Sequence, residues 1–385
     1  MHGRSEDEFN GVRGDISAKA GGQGVQETVF IKAPKALSAD EREAWRAPQC
    51  ADPRLASPYF SLEYVEAVAA VRSDVRVIVR ARCGAPQAFL PVQLDPLGHA
   101  RPVGGPLSDH HGVIGPVSGP AQLTDMLRRA GVGVFDFHGA LGLQSAFQDR
   151  GFTVDGSWVI DLSDGYDAWR SRRKKPGGNT LRTILVSERK LSERRGNVEF
   201  RLEDDDPAVF EALFAWKSEQ YRQAGYFDVF STDWTRRLLA VLMNVPEPSG
   251  ARGVVSSLRV DGALAAVHFG MLGGGVLHYW FPAYAPEFQK DGAGNALLVR
   301  ILQNAGVLGV REVHLGPGAY RYKASLSDWQ FPLVQGFLGH GAAGLAWTLA
   351  RRAESLGKAP ALGPFNDLPG RVFRRIDQIT GFRAA

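Results

Sequence analysis

Apolar positions in the second half of the chain change period several times over a short distance. Val276–Phe281 (VLHYWF) alternates as a strand, 288–295 (FQKDGAGN) breaks into a turn, and Ala296–Ala305 (ALLVRILQNA) recurs at helical spacing. A second strand, Val310–Leu315, then runs into the loop Gly316–Lys323 (GPGAYRYK). Upstream, the pattern predicts helices over Ala208–Gly225 and Trp234–Met243, then a meander built from Gly253–Leu258, Ala265–Met271 and the strand at Val276. The first half repeats the theme more weakly. A helix ends near Val71, Val75, Val77 and Val79 alternate, Cys83-Gly84-Ala85-Pro86 turns, and Ala88–Leu94 returns. A helix over Gln122–Ala130 then leads into the strand Val132–His138, and both this helix and its later counterpart end in Ala-Gly-Val, at 130–132 and 305–307. The reading is an α/β (α+β) chain with two mixed-sheet units in tandem. Its expected parts are a disordered tail over 1–26, a degenerate first unit over 27–160, a basic linking segment over 161–200, a second unit over 201–345 and a tail over 346–385.

Length agrees with two units, since 385 residues exceed one ordinary core. The two cysteines, Cys50 and Cys83, stand apart, which argues against a disulfide framework or a thiolate zinc site and suits a reducing cytoplasm. Met1–Asn10 carries acids where a secretory signal needs an apolar run. The uncharged windows 262–286 and 330–350 are interrupted by glycines and histidines, so they read as buried strands rather than membrane spans.

Charge concentrates in Arg170–Arg195, which holds ten Lys/Arg against two acids and is therefore +8, leaving −4 for the rest of a chain whose net charge is +4. Leu181, Ile184, Leu185 and Leu191 give its second part an apolar stripe. Two readings stay open, a solvated basic face or a collar for an anionic cofactor, lipid surface or glycan. Without interleaved aromatics for base stacking, nucleic acid is not expected.

Candidate chemistry gathers at Gln289-x-x-Gly292-x-Gly294, directly after a strand and directly before a helix. Glycines there let backbone approach a ligand, and the free N–H groups of a first helical turn favour a phosphate or pyrophosphate. The corresponding entry in the first half contains Pro116 and Pro120, which remove amide donors, so the ligand site is expected in the second unit.

This order of helices, meander, glycine turn, helix, strand and Tyr-Lys loop resembles the GNAT acyltransferases. More narrowly, it resembles the cellulose-biosynthesis-type (CelD/BcsL-like) acetyltransferases, which double the GNAT unit as the Fem-type transferases do. The residues that carry the resemblance are Trp216-Lys217-Ser218-Glu219-Gln220-Tyr221, Ala266–Gly270, His278–Tyr284, and Leu315–Gly318 before Tyr322-Lys323. Family members usually carry an acid where this chain has His314. The resemblance implies two GNAT-like units and acetyl-CoA, or another acyl-CoA, as cosubstrate, with no metal. Transfer would go to an amine, such as an amino sugar or polysaccharide precursor. Rival readings are an aminoacyl-tRNA-dependent Fem-type transferase and a non-catalytic CoA-binding partner in exopolysaccharide assembly.

Under this reading Gln289, Gly292, Ala293, Gly294 and Asn295 bind the coenzyme pyrophosphate, and Lys323 holds a phosphate or the thioester carbonyl oxygen. His268 is the expected base with His314 as runner-up, and Tyr322 is the expected acid for the departing thiolate. His278, Trp280 and Tyr284 are expected to line the acceptor or acyl chain, with a base role for His278 also open. Asp109-His110-His111 looks like half a metal site without partners, so Asp109 is assigned to the acceptor cleft. The absence of Gly-x-Ser-x-Gly, and of a cysteine near the site, favours direct transfer.

Overall fold

The computed structural model describes residues 26–148 and 153–356, so the tail before residue 26 and the part of the closing tail beyond residue 356 lie outside the described residues. The chain opens with β1 (Glu27–Lys32), α1 (Ala39–Ala51), α2 (Leu62–Val71), β2 (Val75–Arg82), β3 (Ala85–Leu94) and β4 (His99–Pro102). Next come α3 (Pro120–Arg129), β5 (Val134–Leu141), β6 (Thr153–Asp161), α4 (Tyr166–Arg173), α5 (Gly178–Leu185), α6 (Ser187–Arg195) and β7 (Val198–Arg201). The second half supplies α7 (Pro207–Gln223), α8 (Asp233–Met243), β8 (Arg252–Val260), β9 (Ala263–Gly273) and β10 (Val276–Tyr284). It closes with α9 (Ala293–Asn304), β11 (Glu312–Gly316), α10 (Arg321–Leu326), β12 (Trp329–Gly339) and α11 (Gly341–Leu356).

All of these strands join one mixed sheet in the order β1-β2-β3-β4-β5-β12-β6-β11-β10-β9-β8-β7. The two halves are therefore not closed off from each other. Strand β12, near the end of the described chain, pairs antiparallel with β5 of the first half on one side and with β6 on the other. Strand β6 in turn pairs with β11 of the second half. The middle of the sheet is thus held by hydrogen bonds between residues far apart in sequence.

Period-2 alternation sends each strand's apolar residues to two different cores. In the second half, Val267, Phe269, Phe281 and Ala283 face a core that α2, α7 and α8 share. Leu277, Tyr279 and Ala266 face the other core, built on α9 with Leu297 and Ile301. Strand β10 changes parity within itself, because a bulge falls between Tyr279 and Phe281 of its ladder with β9. The extra residue is Trp280, so Trp280 and Phe281 lie on the same face and stack with ring centroids 4.7 Å apart.

The basic segment differs from the single amphipathic helix predicted for its second part. It forms the three short helices α4, α5 and α6, whose Trp169, Leu181, Ile184 and Leu191 are buried in the α9 core. Pro176, Gly177 and Gly178 separate α4 from α5, and Val186, out of helical geometry at φ −100° and ψ 1°, separates α5 from α6. The window 330–350 resolves into β12 and the start of α11, and among the described residues no helix is long and apolar enough to cross a membrane.

Because β12 fills the centre of the sheet, removing it would leave β5 and β6 as unpaired edges. A chain truncated after Asp328 is expected to lose its cooperative thermal transition and aggregate, whereas one truncated after Leu356 keeps the transition. Calorimetry or circular dichroism melts of the two truncations check this.

Candidate active site

Strand β10 has two neighbours only at its start. It runs parallel to β11 over Val276–His278 against Glu312–His314, while its ladder with β9 continues to Tyr284. From Tyr279 onward the β11 side of β10 is an open edge whose backbone groups have no strand partner. Pro282 falls in this stretch, and its missing N–H suits a strand with one neighbour. Strand β11 ends in its own irregularity, between His314 and Gly316 of its ladder with β6. The two strands therefore splay around a gap.

On one face of the sheet lies the N-terminus of α9. Pro286–Asp291 forms a 3-10 turn, and Gly292 then takes a left-handed φ of +78° that starts the helix three residues earlier than the pattern predicts. No side chain caps α9, and its first bond closes from Ala296 N–H to Gly292 O. The amides of Ala293, Gly294 and Asn295 thus have no acceptor within the helix. A Cβ on Gly294 would come 3.2 Å from the Tyr284 ring, so this glycine lets the end of β10 approach the helix. Gln289 is exposed on the 3-10 turn. The Asp291 carboxylate is held by Arg195 at 2.7 Å and faced by Arg194 at 3.6 Å, so the end of the basic segment neutralises the acid nearest this turn.

The candidate histidines separate across the sheet. His268 lies on the α9 side, fully buried and stacked on Tyr279 at 4.1 Å. Neither of its ring nitrogens has a hydrogen-bond partner, and burial pulls its pKa down to about 3. On the opposite face His278 and His314 gather around His110, with centroids 5.4 and 5.6 Å from its ring. His278 Nε2 lies 2.9 Å from Asp109 Oδ2, and Tyr59 packs edge-on against the same imidazole at 4.9 Å. His314 Nε2 lies 2.9 Å from Glu312 Oε2; burial lowers its pKa while Glu312 works against that. His110 is clamped between Ser57 Oγ and Ser157 Oγ, each at 2.8 Å, and burial holds its pKa well below the usual histidine range.

Residues 178–324, from α5 through α10, match the acetyltransferase (GNAT) domain family. The chain carries a GNAT acetyltransferase domain. Such a domain is an acyltransferase, and its match spans the glycine turn, the splayed strands and the Tyr-Lys loop. No curated protein matches the chain. Solved structures similar to it include the C-terminal domain (DUF2156) of a protein named as a lysylphosphatidylglycerol synthetase, from Agrobacterium fabrum. It is 15% identical, the likeness covers 80% of this chain and 95% of that one, and the TM-score is 0.48. FemX is 8% identical over 71% of this chain and 90% of its own, with a TM-score of 0.45. A tandem GNAT protein from the clavulanic acid biosynthesis pathway is 12% identical over 82% of this chain and 99% of its own, with a TM-score of 0.43.

Asp109 comes from the loop after β4 in the first half. Besides pairing with His278 it borders a cavity of about 240 Å³, lined also by His138, Asp155, Pro317, Leu333 and Gln335 and by no residue of β10. In the Tyr-Lys loop, Lys323 Nζ donates to Pro317 O at 2.5 Å and lies 3.4 Å from Gly316 O. Its burial lowers its pKa, opposed by Asp109 and Asp155. Tyr322 is largely buried, which pushes its phenol up to about 12. Trp280 packs on Tyr59 at 5.7 Å, on the face of His278. Among the described residues no group of histidines, cysteines and carboxylates is arranged to hold a metal ion.

Sequence reasoning brings Asp109 and His278 to the same cleft but does not pair them, and it assigns no role to Tyr59, His110 or Lys217. Their partners lie on distant segments, so no spacing rule could have found them. The pairing depends on Gly316, whose φ is +72° and whose added Cβ would come 2.4 Å from Asp109 Oδ2. Gly316→Ala is expected to displace the carboxylate and to cost about 1–3 kcal/mol of stability. Denaturant melts give the cost, and the imidazole resonances of His278 report loss of the pair.

Proposed function

We propose that the protein transfers an acyl group, acetyl first among candidates, from acyl-coenzyme A to an amine by direct attack, with Asp109 and His278 as the base. The observation that supports this most is the open edge of β10, flanked by an uncapped helix N-terminus on one face and an Asp–His pair on the other. The coenzyme supplies the acyl group as a thioester. Amides of Ala293, Gly294 and Asn295 hold its diphosphate, helped by the dipole of α9 and by exposed Gln289. The open edge of β10 gives backbone donors and acceptors to an extended chain lying in the gap. Across the sheet, Asp109 orients His278, which takes the acceptor's proton. Tyr322, protonated at any working pH, returns a proton to the leaving sulfur.

An amine acceptor is supported by the carboxylates of Asp109 and Asp155, which border the cavity together and favour an ammonium group over an anion. The cavity has room for a group the size of one sugar, in keeping with an amino sugar or polysaccharide precursor. Direct transfer is supported by the two cysteines, which are exposed, Cys50 on α1 and Cys83 between β2 and β3. Free thiols suit a cytoplasmic setting. On α4–α6, Arg172 pairs with Asp328 and Arg173 donates to the carbonyls of Ala324 and Ser325, so both serve the fold. Lys174, Lys175 and Arg182 are exposed, and they remain for attraction of an anion such as the coenzyme.

Purified protein incubated with acetyl-CoA and an amine panel including glucosamine is expected to release CoA thiol. Thiol release from no amine, with CoA still bound, would leave a non-catalytic binding protein. His278→Ala is expected to lower kcat by roughly 10²–10⁴-fold with CoA affinity retained. His268→Ala keeps kcat near wild type, because a group titrating at about 3 is too weak a base.

Coenzyme binding gives a separate check. Gly294→Val crowds both Tyr284 and the diphosphate position, so calorimetric CoA affinity should fall at least tenfold, about 1.4 kcal/mol. Replacing Lys174, Lys175 and Arg182 by glutamine should raise the KM for acetyl-CoA and flatten its salt dependence.

A further inference from the structure

Lys217 is the third residue of the gap that the sequence leaves without a task. It sits in the middle of α7, a helix that starts at Pro207 with Asp206 as its cap, and its side chain reaches across to β10. There Nζ donates to Pro282 O at 3.0 Å, on the part of β10 that has lost β11, and it lies 5.3 Å from the centre of the Tyr221 ring. Among the described residues Nζ makes this one hydrogen bond and has no carboxylate within ion-pair distance, although an ammonium has three donors. Burial alone pulls its pKa down to about 8.

Lys217 is half-buried, and a cation drawn partly out of water usually finds a counter-ion; among the described residues that ordinary structural explanation, a salt bridge, is missing. A lysine that only filled space on α7 would be replaceable by methionine, whose length and apolar stem match without the charge. What the position offers is an ammonium with unused donors at the open edge of the strand that lines the gap. A negative charge that forms only during reaction would complete its hydrogen bonding, which is how a site favours a transition state over the ground state.

We propose that Lys217 is a catalytic residue whose protonated Nζ donates to the thioester carbonyl oxygen as that oxygen becomes an oxyanion. The proposal rests on the acyl-transfer reading above. In the step, the amine nitrogen attacks the carbonyl carbon and forms the C–N bond. The C=O π pair moves onto oxygen and is held by Lys217 and β10 amides. As the C=O bond re-forms, the C–S bond breaks and its electron pair leaves on sulfur. His278 takes the proton from nitrogen, and Tyr322 supplies the proton to sulfur. The lysine returns unchanged, so its need is for charge and not for proton transfer.

The test compares Lys217→Met and Lys217→Arg with the wild type, using acetyl-CoA and the amine that turns over best, with CoA affinity by calorimetry. Lys217→Met is expected to lose 10²–10³-fold in kcat, as removal of one oxyanion donor does, with CoA affinity within about twofold of wild type. Wild-type kcat should fall above about pH 8 as the ammonium deprotonates. In Lys217→Arg, which stays charged, that alkaline limb should move upward and part of the rate should return. The proposal is overturned if Lys217→Met keeps kcat within threefold of wild type, or if it loses kcat and CoA affinity together. Should Lys217→Met fail to fold, an alkaline limb in Lys217→Arg identical to wild type overturns it instead. A wild-type protein that binds CoA and transfers no acyl group overturns both this proposal and the acyl-transfer reading. Turnover that is normal in the wild type and in Lys217→Met overturns Lys217 alone.

Discussion

The arrangement depends on β10 parting from β11 after His278. A parallel pair that continued would satisfy every backbone group between the strands and leave nothing for a ligand. Three local features keep it from continuing. Trp280 is bulged out of the ladder with β9, Pro282 has no N–H to give, and β11 ends at Gly316 in a left-handed conformation. Each is a departure from regular strand structure that the surrounding sheet over-determines, and together they open an edge inside the sheet.

That opening also explains why the titratable groups fall into two sets. Alternation along β9 and β10 sends His268 to the α9 core, where desolvation leaves it neutral and without a hydrogen-bond partner for either ring nitrogen. One strand away and on the other face, His278 keeps a carboxylate partner that is itself partly open to solvent. The same element type thus yields a packed imidazole in one place and a carboxylate-paired imidazole in the other. The difference comes from which face of the sheet each residue reaches, and the bulge at Trp280 sets that parity for the rest of β10.

Much of the second half was legible in the sequence. The meander, the glycine turn, α9 and β11 are formed by neighbours in the chain, so local period and turn chemistry specify them. Leu181, Ile184 and Leu191 pointed correctly to a buried stripe, although the chain leaves helical geometry at Val186 and splits that stripe between α5 and α6. Less legible were β6 and β12, which no reading of nearby residues would set side by side, since Gln330 pairs with Trp158 across the whole second half. The Asp109–His278 contact was hidden for the same reason. Lys217 was visible within its Trp-Lys motif, but its lack of a carboxylate partner among the described residues is a property of packing alone.

One feature of the first half reaches beyond the fold. Its own parallel pair, β4 with β5, is registered only at His99–Ala100 against Val134–Phe135, and the loop that follows β4 bridges back through His111 to Ala140 and through Ile114 to Phe89. That loop occupies the first half's counterpart of the gap and extends Asp109 into the other half's cleft. The first half, closed at that point, supplies one carboxylate to the second. The dependence runs in one direction, since the half with the glycine turn cannot be cut out on its own without losing the carboxylate that holds His278.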